Sequence, residues 1–259
     1  MKPEYLIELR EIQYSYHTLH GETQVLTELS FGVHPGEFLA IVGPSGCGKS
    51  TLLSIIAGLL KPESGTIIVN NPDGTIHYPK VGYMLQHDHL LEWRSVFKNV
   101  CIGLEINQML TRERLDYVGK LLTEYGLDHF KDKRPTELSG GMKQRAALIR
   151  TLALDPQLLL LDEPFSALDY QTRLSVSADI CNLIRNSKKT AILITHDLSE
   201  AISLADRVLI LSSRPARVKC EMPIHLTKTD HSPLAARNAP EFNSYFNQLW
   251  EELKNDYRP

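Results

Sequence analysis

From residue 5 to residue 42, apolar and polar positions alternate with a period of two, which predicts strands buried on one face. Turn signals at His20-Gly21-Glu22 and His34-Pro35-Gly36-Glu37 mark an antiparallel β layer feeding the short apolar run Phe38-Leu39-Ala40-Ile41-Val42. That run reads as a buried strand, and Leu52, Leu53, Ile55, Ile56 and Leu59 then recur at helical spacing. Gly65-Thr66-Ile67-Ile68-Val69 and Lys80-Val81-Gly82-Tyr83-Met84-Leu85 predict two further strands, split by the turn Asn70-Asn71-Pro72-Asp73-Gly74. From about residue 87 to 155 the pattern is helical and polar. Thr111-Arg112-Glu113-Arg114 starts one helix there, and Ala146, Ala147, Leu148, Ile149 and Leu152 line the face of another. Strand character returns at Leu158-Leu159-Leu160-Leu161 and at Thr190-Ala191-Ile192-Leu193-Ile194-Thr195.

Continuous apolar strands alternating with helices predict a parallel sheet covered on both faces, so the fold class is α/β. A helical insert, residues 87–155, interrupts a core made of residues 1–86 and 156–222. Beyond that the composition loosens, and residues 223–259 read as a terminal helix or two on a polar linker.

Composition narrows the partners. The 259 residues suffice for one large α/β domain, and a net charge of −3 without Lys/Arg runs leaves no reason to expect nucleic acid. Four scattered cysteines, with no metal-ligand spacing, read as free thiols of a reducing compartment. The first five residues hold no apolar stretch of the kind a signal peptide needs. The longest apolar run, around Leu158 to Leu161, falls far short of the ~20 residues of a membrane span. The expectation is a soluble chain that serves any membrane process through a partner.

The chemistry starts at Gly43-Pro44-Ser45-Gly46-Cys47-Gly48-Lys49-Ser50-Thr51, which fits G-x-x-x-x-G-K-[ST] between a strand and a helix. Its glycines let the backbone curl so that successive N–H groups point at phosphate oxygens, and the helix N-terminus adds positive potential. Lys49 would reach the β- and γ-phosphates, the Ser50 hydroxyl would ligate Mg²⁺, and Thr51 is the next hydroxyl along. Helix-start amides and Lys49 are expected to lower the pKa of Cys47 and make it reactive.

Five later elements complete the picture. Gln86 follows a strand, Leu138-Ser139-Gly140-Gly141 opens a helix, and Leu158 to Leu161 run into Asp162-Glu163. Ser166-Ala167-Leu168-Asp169 comes next, and His196 follows another strand. In this order they resemble the Q-loop, signature, Walker B strand, D-loop and H-loop of the ATP-binding subunits of ABC transporters, over nearly the whole chain. The resemblance implies a P-loop NTPase core, RecA-like, with the β layer and a helical signature subdomain, hydrolysing ATP with Mg²⁺. Asp162, at a strand end, would hold Mg²⁺ with Ser50, and Glu163 would polarise the attacking water. Gln86 would contact both the metal and that water, and His196 the γ-phosphate and Glu163. Ser139, Gly140 and Gly141 form a second anion-attracting helix start. In the family it closes over ATP held by a second subunit, with Asp169 at the seam between the two.

Tyr16 stands where the family carries an aromatic that stacks on adenine. Tyr14, on the same strand face, competes for that role, and plain packing is open to either. Met142 departs from the Gln of many relatives, without touching the Ser and Gly residues that would meet phosphate.

Two segments resemble the importer branch for nitrate, sulfonates, taurine and related small anions or thiamine-precursor pyrimidines: Leu90-Leu91-Glu92-Trp93-Arg94-Ser95-Val96-Phe97-Lys98-Asn99-Val100 and Ser212-Ser213-Arg214-Pro215-Ala216-Arg217-Val218. Leu90, Leu91 and Trp93 would present apolar surface to a coupling helix of a membrane permease, with packing inside the subdomain as the alternative for Trp93. The branch implies a peripheral position on the cytoplasmic face of the cell membrane and an extracytoplasmic substrate-binding protein. A soluble ABC ATPase of cofactor assembly is the competing reading.

Overall fold

A computed structural model of the protein describes residues 5–19, 21–70, 79–227 and 232–254. In chain order, β1 (Ile7–Thr18) and β2 (Gly21–Val33) form a hairpin, and β3 (Phe38–Val42) leads into α1 (Lys49–Ile56). Next come β4 (Ser64–Val69) and β5 (Val81–Met84), then α2 (Val96–Val100), α3 (Ile102–Ile106), α4 (Arg112–Glu124) and α5 (Gly140–Leu152). The chain returns through β6 (Leu158–Asp162), α6 (Tyr170–Asn186), β7 (Thr190–Ile194) and α7 (Leu198–Leu204) to β8 (Arg207–Leu211) and β9 (Val218–Pro223). It ends in α8 (Pro233–Arg237) and α9 (Phe242–Lys254). Most of the turn expected at residues 70–74 lies outside the described residues.

Two sheets result. An antiparallel sheet has the order β2-β1-β4, and a six-stranded sheet has the order β5-β6-β7-β3-β8-β9. The first five strands of the second sheet run parallel. The edge strand β9, which the sequence pattern does not announce, turns back antiparallel to β8. It can do so because a short hairpin-like return, rather than a helix, joins it to β8.

The unbroken apolar strands of the larger sheet have a direct cause. Alternate residues serve two different cores: Ala40, Val42, Leu159, Leu161, Ala191 and Leu193 face one, with the helices α4 and α5. Leu39, Ile41, Leu158, Leu160, Ile192 and Ile194 face the other, with α1 and the antiparallel sheet. A strand buried on both faces has no polar position to spare. The tail belongs to the first core, where Phe242, Leu249 and Leu253 of α9 are buried.

Helix starts follow their sequence signals. Thr111 caps α4 by accepting from the Arg114 N–H, and Ser139 caps α5 by accepting from the Met142 N–H. Gly141 is needed for close approach, since a Cβ there would stand 2.8 Å from Thr172 Cγ2 of α6. Met142 itself packs, half-buried, against the first core.

Candidate nucleotide-binding and catalytic site

Five loops meet at the carboxyl ends of the parallel strands, the edge of an open α/β sheet where ligands bind. They follow β3 (residues 43–48), β5 (Gln86), β6 (Glu163), β7 (His196) and β8 (residues 212–217). A cleft of about 440 Å³ opens there, lined by Tyr16, Val25, Ser45, Gly46, Gly48, Lys49, Ser50, Thr51, Glu163 and Arg214.

The phosphate loop is built on backbone that only glycine tolerates easily. Gly46 has φ +74° and Gly48 φ +120°, and a Cβ on Gly48 would come within 2.6 Å of Val25 Cγ1. Gly48 precedes α1 without a side-chain cap, so the first-turn N–H groups of α1 keep their capacity for an anion. The Lys49 amine, almost fully buried, donates to the Gly43 and Pro44 carbonyls at 2.8 and 2.9 Å, which arches the loop.

Cys47 corrects an expectation. Its thiol is 2% exposed, and burial pushes its pKa up, outweighing the opposing pull of Lys49 and the backbone amides. It is a small core residue of the second core, protonated at neutral pH, rather than an activated thiol.

Behind the loop, Ser50 Oγ donates to Asp162 Oδ1 at 3.3 Å, and Tyr83 donates to Asp162 Oδ2 at 3.5 Å. Burial raises the Asp162 pKa, partly offset by the Ser50 hydrogen bond. The Tyr83 hydroxyl is pushed up to about 12 by burial and by the Asp162 charge. Among the described residues Asp162 has no ion pair. A buried carboxylate short of a cation, beside a hydroxyl, is an oxygen donor set that fits Mg²⁺.

Glu163 follows on left-handed backbone, φ +45°. Its N–H donates to the Ile194 carbonyl, and its Oε2 lies 3.0 Å from His196 Nδ1 and 3.5 Å from Gln86 Nε2. The His196 loop is fixed from behind: Thr195 Oγ1 donates to buried Glu200 at 2.6 Å, and Asp197 caps α7. Arg173 of α6 ties this loop to the preceding one, reaching Asp197 at 3.6 Å and donating to the Leu168 carbonyl at 3.1 Å.

Tyr16 and Tyr14 separate in the structure. Tyr16 is 43% exposed, lines the cleft and lies 3.3 Å from Thr51 Oγ1 through its hydroxyl. Tyr14 meets it edge-on at 5.1 Å and packs against the second core.

Ser139, Gly140, Gly141 and Asp169 are not part of this cleft. Ser139 and Gly140 are exposed at the start of α5, and Asp169 is exposed at the start of α6, where it accepts from the Thr172 N–H at 3.1 Å. Burial also revises the segment after Gln86. Leu90 turns into the first core, because Asn99 hydrogen-bonds the Leu91, Arg94 and Ser95 carbonyls and folds the loop inward. Trp93 stays 74% exposed, which excludes packing inside the subdomain.

Sequence reasoning missed Tyr83 and Arg214 as members of the site. Tyr83 is one of the alternating residues of an ordinary strand, and Arg214 stands in the sequence only within a branch-like segment.

Comparisons with known proteins give the family. A family model described as ABC transporter matches residues 26–166. An uncharacterized ABC transporter ATP-binding protein of Bacillus subtilis is 42% identical over 242 residues, covering 93% of each chain. A nitrate import ATP-binding protein of Synechocystis is 38% identical, covering 96% of this chain and 95% of its own. A taurine import ATP-binding protein of Roseobacter denitrificans is 39% identical, covering 88% and 87%. Among solved structures, a dimeric ATP-binding cassette in a post-hydrolysis state with ADP and Pi superposes with a TM-score of 0.72 at 27% identity, covering 85% of this chain and 99% of its own. The chain thus belongs to the ABC transporter family, as one of its ATP-binding subunits, an ATPase coupled to transport.

Proposed function

We propose that the chain powers an importer, two copies closing around two ATP molecules to drive a membrane permease. The observation that carries this reading is the split between two phosphate-attracting loops. One, residues 43–51, lies in the cleft with Glu163, while the other, at Ser139 and Gly140, faces outward from a different part of the surface. A second exposed anion site is accounted for when it covers the nucleotide of a partner copy. The dimeric cassette with ADP and Pi supports that arrangement.

In this reading the loop amides and Lys49 hold the phosphates, and Tyr16 stacks on the adenine. Ser50, Asp162 and Gln86 hold Mg²⁺. When bound, Mg²⁺ neutralises charge on the phosphate oxygens. Glu163 takes the proton of the attacking water, its carboxylate steadied by His196 and Gln86. Asp169 sits at the seam, and Arg173 connects its loop to that of His196. Residues 1–86 and 156–222 act as the nucleotide-binding core, residues 87–155 as the arm that carries Ser139 to the partner, and residues 223–259 as the tail.

Trp93, exposed beyond Gln86, offers apolar surface to the permease, which would hold the chain at the cytoplasmic face of the membrane. No helix among the described residues is long and apolar enough to cross a membrane. The nitrate and taurine import relatives support a small anion such as nitrate, a sulfonate or taurine as cargo, delivered by an extracytoplasmic binding protein. A thiamine-precursor pyrimidine is the other cargo class of that branch.

Two experiments test the proposal. Detergent extraction of the tagged chain from its host should bring down a polytopic permease. Recovery of soluble partners alone would remove the importer claim in favour of cofactor assembly. In solution, Glu163→Gln with MgATP should elute at twice the monomer mass. Adding Ser139→Glu, which sets a carboxylate against the partner's phosphates, should return it to monomer.

A further inference from the structure

The loop after β8 is stitched in place. Ser212 N–H donates to the Arg217 carbonyl at 3.0 Å, and Arg217 N–H donates back to Ser212 Oγ at 3.1 Å. Ala216 N–H donates to the Val25 carbonyl at 2.7 Å, and Thr27 N–H donates to the Ala216 carbonyl at 3.0 Å. These bonds tie the loop to β2 beside Val25, a wall of the cleft.

Arg214 stands at the tip of this fixed loop, and its guanidinium leans over the phosphate loop. Its Nη2 lies 3.6 Å from where a Cβ on Gly46 would stand, and it lines the same cleft as Ser45, Gly46 and Lys49. Several other arginines of the fold are paired: Arg207 with Glu37 and Glu221, Arg185 with Asp206, Arg173 with Asp197. Among the described residues Arg214 has neither an ion pair nor a hydrogen bond. Glu163, the carboxylate of the cleft, is engaged by His196 and Gln86 instead.

A cation held by a rigid loop over an anion-binding loop, with no acidic partner, is placed for a ligand. We infer that Arg214 is a second phosphate-binding cation of the cleft, contacting the phosphate chain from the Ser45–Gly46 side. Its planar fork of donors suits two phosphate oxygens at once, which a lysine cannot reproduce. This inference rests on the cleft being the ATP site.

The test measures binding of MgATP, MgADP and inorganic tripolyphosphate to the full chain by calorimetry. Arg214→Ala should raise Kd about tenfold for all three, and Arg214→Lys should recover part of the loss. The melting temperature should hold, because the side chain makes no hydrogen bond or ion pair among the described residues. Unchanged MgATP affinity in Arg214→Ala overturns the inference. So does weaker MgATP with unchanged tripolyphosphate, which would assign the contact to the ribose or base. Failure of the wild-type chain to bind MgATP would instead overturn the ATP reading of the cleft, and this inference with it.

Discussion

Glu163→Gln is expected to lower ATP turnover about 10²–10⁴-fold, the range typical of losing a positioned general base. Nucleotide binding should survive, because in the proposed reading the loop amides and Lys49, rather than this side chain, hold the phosphates. The substitution keeps size and one hydrogen-bonding oxygen, and the His196 contact at 3.0 Å can persist through it. Only the capacity to accept a proton is lost. Steady-state turnover with a coupled phosphate assay, alongside an ATP-binding titration, separates the two effects. Turnover within a few-fold of the parent would mean that another group takes the proton and that Glu163 merely positions water. His196→Ala should give a smaller drop, since the carboxylate itself stays in the cleft and loses one of its two supports.

Removing the Lys49 charge should act at the earlier step. Lys49→Met is expected to weaken MgATP binding by about 100-fold or more, as removal of one partner from a buried charged contact commonly costs about 2–5 kcal/mol. Methionine retains much of the side chain's length and apolar volume, so the packing around residue 49 is largely kept. It abandons the Gly43 and Pro44 carbonyls, which the amine bridges at 2.8 and 2.9 Å. A thermal melt run in parallel reports any slackening of the loop from that cause. A loss smaller than tenfold with an intact melt would show that the loop amides alone hold the phosphates. Glu163→Gln and Lys49→Met therefore divide binding from chemistry.

Most of the fold could be read from hydrophobic period alone. Leu158 to Leu161 and Thr190 to Ile194 announced doubly buried strands, and their alternate residues do serve two cores. The antiparallel direction of β9 was not legible, because the sequence around Val218 carries no sign of which way the strand enters the sheet. Around the phosphate loop, residue order located what the structure gathers from distant positions: Tyr16, Lys49, Gln86, Glu163 and His196. Burial was harder. Cys47 has the neighbours of a reactive thiol, but the expectation left out desolvation, which dominates. Leu90 and Trp93 are equally apolar in the sequence, yet the carbonyl contacts of Asn99 send the first inward and leave the second outside. Arg214 depends on loop 212–217 being tied to Val25, a pairing across the fold that no local pattern encodes.

The left-handed backbone at Glu163 sets durability against speed. An L-residue there carries a penalty of about 1–2 kcal/mol that glycine would escape, and its charge also repels buried Asp162, whose pKa it helps to raise. Glu163→Gly should therefore melt at or above the parent despite losing a half-buried side chain, and it should be inert. A turn shaped for glycine that holds an acid is a toll on stability levied at the residue proposed to take the proton. Heat-resistant variants of this chain selected without regard to activity should thus include glycine at position 163, and those carrying it should have lost ATP turnover.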